Sequence, residues 1–340
     1  MPEVIANRFG VYDEWGPLKE IFVGRADTLR LHEWDPVYSV ASPLAQRMIQ
    51  ENPGKLVRDV WPEFGEKFQS QLDSLARVFQ ENGVVVHRPR PFTDEEFASD
   101  AHPAARGVQQ ASSADCVWVV GRNYIEMAQK TLVCRKNFLW ARDAFLPHIE
   151  RNSDARWLSC PASQPSKVIS AGPGPYLEGG DIILVGNGRD VLCGVDDYST
   201  DERGFQWLKQ ALASDGYRLW PMTFNMMEIH LLAHLNLVRP GLGIICREAF
   251  EGHGPLPDPI RDWEFIEITP EEVHHGGADV VMIHPNKAVV SADQPRLARD
   301  LEERGIEVQM VDVSSASQIS AGVRCCTIII HREKARLPQR

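Results

Sequence analysis

One arrangement of hydrophobic and polar positions recurs along the chain. A polar residue leads an apolar run of strand length, a turn follows, and a second apolar run begins. Asp115-Cys-Val-Trp-Val-Val120 turns at Gly121-Arg-Asn123 before Tyr124-Ile125, and Asp181-Ile-Ile-Leu-Val185 turns at Gly186-Asn-Gly188 before Val191-Leu192-Cys193. Asn236-Leu-Val238 turns at Arg239-Pro-Gly241 before Leu242-Gly-Ile-Ile245, and Asp279-Val-Val-Met-Ile283 turns at Pro285-Asn286 before Ala288-Val-Val290. Glycine supplies positive φ, proline presets the first turn position and asparagine tolerates the left-handed region, so each turn predicts a hairpin.

Helical periodicity fills several gaps between hairpins. Residues 67–82 place Phe68, Leu72, Leu75, Val78 and Phe79 on one face, and Gly83 predicts a stop before the strand 84–86. Residues 201–213 precede a strand over 217–220, and residues 295–304 end at Gly305 before a strand over 306–311. Each unit therefore reads hairpin, helix, strand. Glu20-Ile-Phe-Val23 and Thr327-Ile-Ile-Ile330 form one broken unit shared between the termini, which brings the count to five. Five such units predict a closed ring with the residues at the strand starts facing a central cavity. A doubly wound parallel sheet also alternates strands with helices, but tight hairpins imply antiparallel pairs, and no glycine-rich phosphate loop opens a helix. No linker or low-complexity segment divides the chain, so one domain over 1–340 is expected. The stretch Gly252 to Pro259 reads as a long loop at the cavity mouth.

Composition narrows the partners. Of 340 residues, 43% are hydrophobic and 24% charged, which excludes wholesale disorder. A formal charge of -11 argues against nucleic acid or an anionic membrane and suits a small cationic substrate. No apolar run approaches the ~18 residues of a membrane span. The first residues lack a signal-peptide pattern, and seven irregularly spaced cysteines suit a reduced interior, so a cytoplasmic location is expected. Neither C-x-x-C nor H-E-x-x-H occurs, so no metal site is expected.

Three segments carry candidate chemistry. Ser320-Ala-Gly-Val-Arg-Cys325-Cys326 delivers a cysteine at a strand start, with Arg324 adjacent to favour a thiolate. Tyr176-Leu-Glu178-Gly-Gly-Asp181 sets two carboxylates around bare backbone, and His230-Leu-Leu-Ala-His234-Leu-Asn236 supplies two imidazoles before a strand. A thiol, an imidazole and an orienting acid are the set that covalent catalysis needs. Singly, a buried inert cysteine, a turn and a satisfied histidine are the plainer readings.

Taken in order, these segments resemble the amidinotransferases of the guanidine-modifying superfamily, which also includes the arginine deiminases. The resemblance runs through Asp13-Glu-Trp-Gly-Pro-Leu-Lys-Glu-Ile-Phe-Val-Gly24, Ala114-Asp115, Val119 to Glu126, Leu177 to Asp181, His230 to Leu242 and Gly322-Val-Arg-Cys325. It implies an α/β fold, the five-bladed pseudo-symmetric α/β propeller. It also implies Cys325 as nucleophile with Cys326 a bystander, His230 rather than His234 as proton shuttle, and Glu178 as its acid. Asp115 would bind guanidinium nitrogens, and Asp181, Leu232 and Asn236 complete the expected substrate-binding set. Leu232 stands where the family's His-x-Asp has an acid, so Asp181 or Asp279 would have to compensate. The reaction implied moves an amidino group from a guanidine donor, arginine first, through Cys325 to an acceptor amine in specialised metabolism. It needs no cofactor. A hydrolase of the same fold and a non-catalytic binding propeller are the alternatives. Relatives are often dimers, so the resemblance also admits a homodimer.

Overall fold

Every predicted hairpin closes as an antiparallel pair, and each pair takes up a parallel third strand. The structure is a computed structural model that describes residues 9–98, 110–112, 116–130, 137–162, 172–186 and 188–334. Its five sheets have three strands each. In the first, β1 (Leu18–Val23) runs parallel to β2 (Val85–His87) and antiparallel to the C-terminal strand Thr327–Arg332. The second joins β3 (Val117–Val120), β4 (Asn123–Glu126) and β5 (Arg156–Ser159); the third joins β6 (Ile182–Leu184), β7 (Asp190–Gly194) and β8 (Arg218–Met222). The fourth holds β9 (Leu235–Arg239), β10 (Leu242–Ile245) and β11 (Glu264–Glu267), and the fifth β12 (Val281–His284), β13 (Lys287–Ser291) and β14 (Glu307–Val311). The C-terminal strand, β15, is thus the leading strand of the first sheet, and the termini meet in one broken blade as expected.

Adjacent blades are tied where their leading strands begin. The Leu177 N–H donates to the Ala128 carbonyl at 2.9 Å between the second and third blades, and the Leu231 N–H to Asp181 Oδ1 at 3.0 Å between the third and fourth. Asn236 Nδ2 donates to the Ala278 carbonyl at 2.8 Å, and Arg332 Nη1 to the Met282 carbonyl at 2.7 Å, joining the fourth to the fifth and the fifth to the first. A bridge between Val11 and Gly121 completes the circuit. These are the ties of an α/β propeller.

The connecting helices follow their periodicity. The helix Pro62–Glu81 opens on a proline at its first turn, buries Phe68, Leu72, Leu75 and Phe79 completely, and stops at Gly83, whose φ is +74°. Each such side chain contributes about 1.5–3 kcal/mol by leaving water. Asp201 and Pro295 likewise open the helices Glu202–Ala213 and Pro295–Glu302. The helix Phe138–Arg151, with Pro147 inside it, and the helix Pro43–Glu51 were not anticipated. The fourth blade has no α-helix between β10 and β11; a short 3-10 turn, Arg247–Phe250, and the largely exposed stretch 251–259 take its place. That stretch does not line the cavity described below, so its expected place at the mouth is corrected. Among the described residues, no helix is long and apolar enough to cross a membrane.

Candidate functional site

The side chains singled out in the sequence lie on the approach to the leading strands of successive blades, two to five residues ahead of each strand. Glu178 precedes β6, His230 precedes β9, Asp279 precedes β12 and Cys325 precedes β15. Asp115 lies outside the described residues. Repetition of the blade therefore converges residues far apart in sequence.

Cys325 and His230 line one cavity of about 130 Å³. The Cys325 N–H donates to Asp279 at 3.0 and 3.2 Å from its two oxygens, which fixes the turn before β15. Gly322 is needed for that approach, because a Cβ there would sit 2.3 Å from Asp279 Oδ2. Burial pushes the Asp279 carboxyl up from its ordinary range, while the hydrogen bonds from Cys325 oppose the rise. Cys325 is half-buried at the cavity, whereas Cys326, the next residue of the turn, is sealed in the core. Arg324 lies over the Trp118 ring at 4.1 Å, with Glu14 at 3.8 Å, and does not line the cavity.

His230 is held by three separate contacts. Its Nε2 lies 2.6 Å from Glu178 Oε2, its carbonyl accepts from His234 Nδ1 at 3.0 Å, and the next residue's N–H is anchored on Asp181. The ring lies against Gly180, where a Cβ would fall 2.6 Å from His230 Cγ. The backbone of His230 has φ 79° and ψ 148°, a region that residues with a Cβ rarely occupy. Such outliers persist only where surrounding contacts over-determine them, and they cluster at functional sites. Glu178 is fully buried, and its second oxygen accepts the Lys130 N–H at 2.6 Å.

The other expected site residues have different neighbours. Asp181 is fully buried and accepts from Leu231 N–H, Ser199 Oγ (2.7 Å) and Thr200 N–H (3.2 Å). Burial pushes its pKa up to about 7, opposed by the nearby His230 charge. It positions the histidine segment and does not face the cavity. Asn236 donates to the Ala278 and Val280 carbonyls (2.8 and 3.1 Å) and accepts the Leu237 N–H, so it joins two blades. Leu232 is core, 2% exposed. None of the three is among the residues that line the cavity.

His234 is structural. Its Nδ1–H donates to the His230 carbonyl, and its Nε2 accepts from the Met227 and Glu228 N–H groups (3.2 and 3.4 Å). Burial lowers its pKa to about 4, and likewise that of His32, which lines the cavity with Nδ1 on the Glu33 carbonyl. Both histidines titrate near 6.5 when unfolded, so between pH 6.5 and 4 each adds a contribution on the order of 3 kcal/mol by which stability rises with pH, while the raised Asp181 carboxyl opposes them over the same window. Urea unfolding of His234→Asn beside the parent isolates one contribution: the parent is expected to lose on the order of 3 kcal/mol relative to the variant as pH falls from 6.5 to 4. A difference independent of pH would contradict the assignment.

Much of the cavity wall escaped the sequence reading. Ala45, Met48 and Ile49 come from the helix Pro43–Glu51, and Leu29 and Leu31 from the segment after β1. The signal available was the Ala45, Met48, Ile49 spacing behind Ser42-Pro43, whose serine accepts from the Ala45 N–H. For metal ligation, one group among the described residues, Glu20, His87 and His148, brings ligand atoms within 4.8 Å of one another; it does not line this cavity.

No family model matches the chain. Inosamine-phosphate amidinotransferase 1 of Streptomyces griseus is 26% identical, the match covering 95% of this chain and 96% of the relative. The L-arginine:L-lysine amidinotransferase of Pseudomonas savastanoi pv. phaseolicola is 23% identical over 94% of this chain and 93% of that one. Among solved structures, SxtG, an amidinotransferase of the saxitoxin biosynthetic pathway of Microseira wollei, superposes with a TM-score of 0.79 at 20% identity, covering 96% of this chain and 98% of the other.

Proposed function

We propose that this chain, a member of the guanidine-modifying superfamily, transfers an amidino group from arginine to a primary amine through a thioether on Cys325. The observation that carries the reading is the buried His230–Glu178 pair, 2.6 Å apart, whose imidazole shares a cavity with the Cys325 thiol.

A guanidinium carbon is a poor electrophile because its charge is spread over three nitrogens. Covalent catalysis divides the difficult exchange into two easier ones. The Cys325 thiolate attacks that carbon, and the bond to the departing nitrogen breaks with its electron pair. His230 gives that nitrogen a proton, so ornithine leaves as an amine and the amidino group remains on sulfur. The acceptor amine then attacks the same carbon, its proton passes to His230, and the thiolate is released. A carboxylate at Nε2 can only accept, so Nε2 carries a hydrogen and Nδ1 is the nitrogen that exchanges protons. Glu178 also stabilises the imidazolium that each half-reaction passes through, in a site where burial strengthens charge-assisted hydrogen bonds. The similarity to SxtG supports a role in specialised metabolism.

Product analysis tests the proposal. Arginine together with an amine is expected to yield ornithine and the matching guanidine, with ornithine release dependent on the amine. Conversion of arginine to citrulline and ammonia without an amine would make the protein a hydrolase of the same fold.

A further inference from the structure

The cavity beside Cys325 has a catalytic end and an apolar wall. Away from Cys325 and His230 it is walled by Leu29, Leu31, Ala45, Met48, Ile49 and Ile319. No aspartate or glutamate lines it among the described residues, and Arg30 is its only lysine or arginine, with Nη1 donating to the Gly54 carbonyl at 2.8 Å. His32 faces the same space as a neutral imidazole, its pKa lowered to about 4 by burial. A charged or hydroxylated group placed against Leu29, Leu31, Ala45, Met48, Ile49 and Ile319 would lose hydration there, the polar lining of Tyr38, Ser112 and Ser320 belonging to the rest of the cavity. A hydrocarbon body gains free energy by leaving water there. The volume, about 130 Å³, approaches the roughly 150 Å³ that admits a benzene ring into an apolar protein cavity.

We infer that the acceptor is a primary amine carrying a neutral hydrocarbon body of about six carbons, seated against Met48, Ile49 and their neighbours while its nitrogen reaches the Cys325 adduct. The inference rests on the transfer reading above and specifies its second substrate.

The test loads the enzyme with arginine, follows the amidino adduct on Cys325 by intact mass, and discharges it with ethylamine, butylamine, hexylamine, benzylamine, glycine or lysine. The discharge rate constant divided by the amine's half-saturation concentration is expected to rise about fourfold per methylene, or about 250-fold from ethylamine to hexylamine. Hexylamine and benzylamine should exceed glycine and lysine. Met48→Gln should flatten the chain-length dependence, a ratio that does not depend on the fraction of protein folded. A flat or falling series, or preferred discharge by glycine or lysine, would overturn the inference while leaving the transfer reading intact. Absence of any adduct would count against the transfer reading instead. Calorimetric titration of the same amines then reads the apolar wall directly, and equal affinities along the series would overturn the inference on their own.

Discussion

Cys325→Ala is expected to abolish amidino transfer, lowering turnover by at least about 10⁴-fold, because Cys325 is the only thiol among the described residues that line the cavity. The substitution removes a half-buried sulfur and its side-chain hydrogen bond to Asp279. The hydrogen bonds that shape its turn come from the Cys325 backbone N–H to Asp279 and survive the change, so thermal stability should move by less than about 1 kcal/mol. Cys326→Ala gives the opposite pattern. Its sulfur is enclosed in the core, and its loss should cost stability, about 1–2 kcal/mol, with activity retained. Steady-state kinetics and urea melts of the two variants measure both expectations. Activity in Cys325→Ala above a thousandth of the parent would remove the nucleophile from the account.

The second large effect is expected at Glu178. Glu178→Gln keeps the shape of the side chain but replaces an oxygen with an NH₂ group. In the parent, one carboxylate oxygen faces His230 Nε2 and the other faces the Lys130 N–H, both at 2.6 Å. An amide can accept from only one of these donors. Either Lys130 loses its acceptor in a fully buried place, or the imidazole is forced into its other tautomer. A wrong tautomer behind an otherwise intact histidine costs about 10⁴ in rate in the serine-protease case, and a loss of about 10²–10⁴ is expected here. Loss of a charge-assisted bond in the core should also cost about 1.5–3 kcal/mol of stability. Pre-steady-state measurement of ornithine release, made on folded protein, separates the two effects. An unaltered rate would show that the acid only holds the loop.

The fold was readable because hairpins, turns and amphipathic helices are local. Each antiparallel pair follows from alternating runs around glycine, proline or asparagine turns, and the parallel third strand follows from the helix that returns the chain. The helix Phe138–Arg151 was hidden by Pro147 within it, and the missing helix of the fourth blade leaves no positive signal beyond a glycine- and proline-rich stretch. The catalytic end of the site was readable for another reason. The repeated blade brings the segments before the leading strands together, and Glu178, His230, Asp279 and Cys325 all stand on those segments, two to five residues ahead of their strands. Which atoms they meet was not readable. Asp181 and Asn236 look like substrate ligands in a linear motif, yet in space their polar atoms bind backbone of neighbouring segments. Nor did the sequence disclose the apolar wall, because Ala45, Met48 and Ile49 form an ordinary amphipathic stripe whose partner is the cavity rather than a helix.

The most direct measurement is the mass of the protein after rapid quenching from arginine, followed by peptide mapping. A single adduct of about 42 Da, the mass of one amidino group less a proton, is expected on the peptide holding Cys325, disappearing when an acceptor amine is added and absent from Cys325→Ala. A protein that turns arginine over without that adduct, or that carries it on a different cysteine, would contradict the account.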